Sequence, residues 1–145
     1  MTWVLILLGA LPFVFGGIQN WYMTTHMDYN PPYTLIAVAV LLIWGLLTFL
    51  FNKDGGRTKH IVVCLNLIAA VDLFLIGIQE LIRHAYWMNP IGAWSQLFYL
   101  PILNFGFTFT SWSPRVFLAY AAAFLLMVGA SLLGCKLREK WRYER

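Results

Sequence analysis

Residues 61–82 read IVVCLNLIAAVDLFLIGIQELI, a run of 22 residues whose only charge before Glu80 is an aspartate at its centre. A bilayer core about 30 Å thick needs about 20 apolar residues at a rise of about 1.5 Å each, so this run is long enough to cross. Asp72 then lies near the middle of the bilayer, where an aspartate costs about 2.5–3.5 kcal/mol on insertion scales. At about 100° per residue, Asp72, Gln79 and Arg83 fall within about 40° of one another on a helix surface. Asn66, Glu80 and His84 widen that stripe to about 140°. The helix has one polar face and one lipid face, and the polar face must turn toward other helices, a partner or a cavity.

Three further stretches have the same character, at about 3–22, 34–51 and 116–135. The first reaches full length only if Gln19 to Tyr22 sit in the interface, and Pro12 within it predicts a kink. It lacks a basic leader and a good small-x-small cleavage site at Phe15-Gly16-Gly17, so it reads as a retained span. Composition agrees with the spans. Ten Lys/Arg and six Asp/Glu make 11% of the 145 residues, against 61% hydrophobic and a mean hydropathy of +0.71. A soluble domain of this size carries about 25% charge and could not hide so much apolar surface. The expected fold is an all-α integral membrane protein: one domain, residues 1–145, built as a four-transmembrane-helix bundle.

Orientation follows from the basic residues. Lys53, Arg57 and Lys59 lie between spans two and three, and Lys136, Arg138, Lys140, Arg142 and Arg145 form a tail at 136–145. With four spans these eight share one side, which the positive-inside rule makes cytoplasmic, with both termini there and the plasma membrane the expected location. Residues 84–114 then lie on the outer side. A fifth span at 91–110 is long enough, but it would separate the 53–59 turn from the basic tail. Pro90, Gly92, Pro101, Asn104 and Gly106 also argue against a regular helix there. The segment is therefore expected to be interfacial or re-entrant in the outer leaflet, with a fifth span as the alternative.

Asp72 is the sharpest candidate for chemistry. It is either a proton, ion or ligand site lined by Asn66, Gln79, Glu80 and Arg83, or a structural acid making an interhelical hydrogen bond. Glu80 with Arg83 and His84, at spacings of three and four, predicts a local ion pair ending the helix. His26, Asp28, Glu80 and His84 are metal-compatible ligand types on the outer side, but their spacing specifies no metal and none is expected. Cys64 and Cys135 lie near the reducing side and should stay unpaired; Cys135, at a membrane boundary, could in principle carry a lipid. No common catalytic motif, cofactor motif or nucleic-acid signature is present. Aromatic residues crowd the outer side, Trp87 and Trp94 among them. They suggest a cap suited to a lipid, quinone or other apolar ligand, or a simple interface belt.

Ala119, Ala123, Ala130 and Gly134 share one face of the fourth span, and small residues let membrane helices approach closely. They serve bundle packing, association with another transmembrane protein, or self-association. In the first span, Gly9-x-x-x-Phe13-x-x-x-Gly17-x-x-Asn20 resembles the opening of the DoxX-like four-span proteins over about a dozen residues. It departs where that pattern has Lys, at Asn20, and does not continue through span four.

Three functions remain in view. The first is a subunit or regulator of a larger membrane complex, with an aromatic outer-leaflet surface. The second is an oligomeric transporter or channel using Asp72. The third is a membrane enzyme acting on a lipid or quinone through His26, Asp28, Glu80 and His84.

Overall fold

The computed structural model describes residues 1–26, 28, 31–53, 57–87, 89–111 and 115–144. All regular structure among them is helical: α1 (Thr2–Leu8), α2 (Leu11–Thr25), α3 (Tyr33–Phe51), α4 (Thr58–Gly77), α5 (Pro90–Phe109) and α6 (Val116–Tyr143). A π turn, Ile78–Ile82, prolongs α4. Four stretches are long and apolar enough to cross a membrane: Thr2–Thr25, Tyr33–Phe51, Thr58–Ile82 and Val116–Tyr143. Their outward faces carry large apolar side chains such as Leu42, Phe74 and Leu125, as expected of a multi-pass membrane protein.

Side-chain contacts set the helix directions. Thr2 meets His60 and Gly9 lies against Leu65, so the first stretch runs parallel to α4. Thr58 bonds Glu139, Asn66 bonds Ser131 and Gly77 abuts Phe117, so α4 and α6 are antiparallel. Gly45 meets Ala130 and Arg138 sits over Phe49, so α3 and α6 are parallel. The start of α1, the end of α3, the start of α4 and the end of α6 therefore share one end of the bundle. The end of α4 and the start of α6 share the other, and α5 leaves from and returns to that end.

The first stretch is broken where Pro12 demands it. Proline has no N–H to offer the carbonyl of Leu8, so the helix stops at Leu8 and restarts at Leu11 with Pro12 in its first turn. The break lets α1 stay on α4 while α2 diverges and packs on α5. Helix α5 fills the resulting wedge, touching α2, α3, α4 and α6. The expected interruption by Pro101, Asn104 and Gly106 does not occur: residues 90–109 form one helix. Pro101 leaves the Leu97 carbonyl without its helical donor. A Cβ on Gly16 would stand 1.8 Å from that same oxygen, so the bare Cα of Gly16 is set directly over it. Gly106 makes a like approach to the Ala119 carbonyl, where a Cβ would stand 2.1 Å away. The small residues that argued against a helix are what allow this one to be buried.

The core is aromatic and lies where α5 meets the rest. Trp44, Leu65, Ile76, Phe98, Tyr99, Ile102, Ala123 and Met127 pack together. Phe98 stands edge-on to Phe13 at 4.9 Å and to Tyr99 at 5.0 Å between ring centroids. A smaller cluster of Leu5, Ile61, Cys64 and Cys135 closes the opposite end, with both cysteines free.

Candidate functional site

The polar residues of α4 occupy three levels. At the lowest, Asn66 accepts a hydrogen bond from the Trp44 indole N–H at 3.1 Å. Its amide donates to Ser131 Oγ and to the Val62 carbonyl, each at 2.9 Å. One side chain thus clasps α3, α4 and α6, and its donors and acceptor are all engaged.

Asp72 lies at mid-depth and is 6% exposed. Its Oδ2 has no hydrogen-bond partner among the described residues, and neither has Oε1 of Gln19 on α2, which is 7% exposed. Above the previous turn of α4, the Tyr99 hydroxyl donates to the Ala69 carbonyl at 2.5 Å, within electrostatic reach of Asp72. An unpartnered polar atom in a low-dielectric interior is costly, so among the described buried residues of the α4 stripe Asp72 is left unfinished; Oδ1 of Asn52, at the far end of the bundle, is likewise without a partner. Gln19, expected in the interface, is instead buried, because α5 covers the side of α2 that carries it.

The third level joins α4 to the start of α5. Gln79 is fully buried; its Nε2 donates to Ser95 Oγ at 3.2 Å and its Oε1 accepts from the Trp87 backbone N–H at 2.9 Å. Ser95 donates onward to the Gly92 carbonyl, and Asn89 caps α5 by accepting from the Gly92 N–H. Glu80 does not form the expected pair with Arg83 or His84; it accepts a hydrogen bond from the Tyr86 hydroxyl. The π turn is the reason. It alters the spacing on which an i,i+3 or i,i+4 pair depends, and His84 then turns the chain out of the helix with φ at 52°. Arg83 and His84 are left exposed, away from the buried stripe. Burial, together with the hydrogen bond to Glu80 and its charge, pushes the Tyr86 phenol above its ordinary pKa.

The outer-side candidates do not converge. His26 stacks on Tyr22 at 4.5 Å and contacts Thr25 Oγ1 through Nδ1 at 2.9 Å, while Asp28 is exposed. Trp87 packs over Gly92, and Trp94 is 60% exposed with its ring 5.7 Å from Phe13. Among the described residues no three His, Cys, Asp or Glu side chains come together in a way that could hold a metal ion.

Of the small residues on α6, Ala119 and Ala123 are buried within the chain. Gly134 lies against Gly45 and Thr48 of α3, with Ala130 close to Gly45. Ala119 faces α5 and Gly134 faces α3, while Ala130 and Gly134 also border an open groove between α3 and α6. Residues that escaped sequence reasoning are Gln19, Ser95, Tyr99 and the clasp Asn52–Thr58–Glu139, in which Thr58 donates to Glu139 at 2.6 Å. The signal for Gln19 was present, since a glutamine inside a hydrophobic run asks for a partner or a cover.

No protein-family model matches the sequence, and neither the curated proteins nor the solved structures return a match. The likeness of Gly9 to Asn20 to the DoxX-like opening is thus not extended by any family.

Proposed function

We propose that this chain is a non-catalytic component of a larger membrane complex, acting as a subunit or regulator through the end that carries α5. The observation that carries the reading is the contrast at that end. Gln79, Ser95, Glu80 and Tyr86 are tied into intrachain hydrogen bonds, which leaves no reactive constellation among the described residues of that end. Beside them α2 and α5 present Trp21, Ile91 and Trp94 outward, each at least 58% exposed. Aromatic surface of this kind suits recognition by a second membrane protein, or by a lipid-like ligand shared with it. The basic residues Lys53, Arg57 and Lys59 and the basic tail 136–145 argue for a cytoplasmic location of both termini, in the plasma membrane, and so for an outer-leaflet position of α5.

The test is a photo-crosslinking residue at Trp94, with Phe74 on the outer face of α4 as the comparison site, followed by native mass spectrometry from mild detergent. A discrete protein adduct at Trp94 but not at Phe74, matched by a heteromeric species, is expected. A lone chain with no protein adduct would overturn the proposal.

Asp72 supports a second reading. Its unpartnered carboxylate oxygen at mid-depth suits a proton or cation path in an oligomer, with Gln79 and Glu80 toward the outer end. Flux in proteoliposomes should then collapse in Asp72→Asn; undiminished flux removes the Asp72 role.

A further inference from the structure

On the outside of the bundle, α3 and α6 leave an apolar groove of about 710 Å³ between them. This is within the range of cavities that hold a small-molecule ligand. Gly45, Gly129 and Gly134 form its floor, and Leu42, Leu46 and Leu133 are among its walls. The groove runs along α3 from Val38 to Phe49 and along α6 from Leu125 to Leu137. At about 1.5 Å per residue this is about 16–18 Å, close to the depth of one leaflet, about 15 Å. This groove has the length of one acyl chain.

Its mouth is marked by charge. At the basic end, beside Phe49 and Leu137, the half-buried Arg138 guanidinium is held 5.1 Å from the centre of the Phe49 ring and 5.0 Å from that of Trp141. The two rings fix the guanidinium at the level where the groove opens, and no carboxylate pairs with it among the described residues. A guanidinium presents a fork of donors that matches a phosphate oxygen pair. Lys136 on the same helix is exposed and adds positive potential at this level, whereas Lys140 is paired with Glu144 at 3.7 Å.

We infer that the α3–α6 groove is a specific site for an anionic phospholipid of the leaflet on the basic side, with one acyl chain in the groove and the phosphate on Arg138. The site lies at the opposite end of the bundle from the surface invoked for complex assembly and does not depend on that proposal.

The experiment is native mass spectrometry of the purified chain titrated with phosphatidylglycerol or phosphatidylcholine of identical acyl chains. Wild type should retain one phosphatidylglycerol in preference to phosphatidylcholine. In Arg138→Gln that preference should fall about tenfold, the loss of a charge-assisted contact. Gly129→Leu should lower retention of both lipids. A Cβ at Gly129 meets nothing within 4 Å, so this variant fills the groove without disturbing the bundle. Circular dichroism of each variant checks the fold. Three results would overturn the inference: retention unchanged in Gly129→Leu, an equal loss of preference in Lys140→Gln, or a lipid-free dimer that Gly129→Leu disperses.

Discussion

Gly16 and Gly17 are neighbours in α2, and substituting each by alanine tests the burial of α5 directly. At Gly16 the new methyl carbon would stand 1.8 Å from the Leu97 oxygen. Even a close carbon–oxygen contact is about 3.3 Å, so α2 and α5 must part by about 1.5 Å. Overpacking of this kind costs about 1–3 kcal/mol, and the separation also strips the Leu97 carbonyl, already without a helical donor because of Pro101, of its remaining contact. Against this, alanine gains about 1 kcal/mol of helix propensity over glycine. The net loss is about 2 kcal/mol, or about thirtyfold in the ratio of folded to unfolded chain. At Gly17 an added Cβ meets nothing within 4 Å, so only the propensity gain remains. Thermal unfolding in one mild detergent, followed by circular dichroism, should therefore show Gly16→Ala destabilised and Gly17→Ala unchanged or slightly stabilised. Pro101→Ala restores an N–H aimed at the Leu97 carbonyl, so in the Gly16→Ala background it should recover part of the loss, and the two changes should not add. Equal effects at Gly16 and Gly17, or a stabilised Gly16→Ala, would mean that α5 is not seated against α2.

Two further outcomes follow from the polar levels of α4. Asn66→Ala removes bonds to Trp44 and Ser131 on two other helices and should cost about 1–2 kcal/mol, with a shift in tryptophan emission as the Trp44 indole loses its acceptor. The raised pKa of Tyr86 makes stability fall with alkali. Below the ordinary pKa of 10.0 its contribution is intact, and above it the unfolded chain releases a proton that the folded chain still holds. Tyr86→Phe should therefore flatten the alkaline loss of stability measured by thermal unfolding; an unchanged slope counts against the Glu80–Tyr86 contact.

The four long helices were legible because the bilayer enforces them: a run such as 34–51 has few other uses. Pro12 was legible for a similar reason, since a missing N–H acts locally and the helix breaks beside it. Residues 90–109 were misread because Pro101, Gly92 and Gly106 were judged as an isolated helix would feel them. What rescues that helix lies elsewhere in the chain, in Gly16 and Ala119, and a single sequence does not pair them. The Glu80–Arg83 pair failed for a geometric reason, since a π turn is invisible to a 100° wheel. Asp72 and Gln79 were identified as facing inward and are buried. Ser95, the partner of Gln79, and Tyr99, which bonds the Ala69 carbonyl of α4, lie in the segment read as an outer aromatic cap, and nothing in the sequence pairs them with α4. Asn52, Thr58 and Glu139 look like turn and tail residues, and only the antiparallel fit of α4 and α6 brings them together.

The two functional readings turn on one mechanical element. With α5 in its wedge, Asp72 is buried between the Asn66 clasp and the Tyr99–Ala69 bond on one side and Gln79 on the other. In the transporter reading a path to Asp72 would have to displace α5, which is held by the Tyr99–Ala69, Gln79–Ser95 and Gly16–Leu97 contacts. His84 before α5 and Ser111 after it both sit at positive φ, 52° and 51°, where non-glycine residues are strained. Gly16→Ala, which loosens the wedge without touching Asp72, separates the cases. In a transporter it raises flux while stability falls. In an assembly subunit it weakens association at Trp94 and leaves the membrane tight.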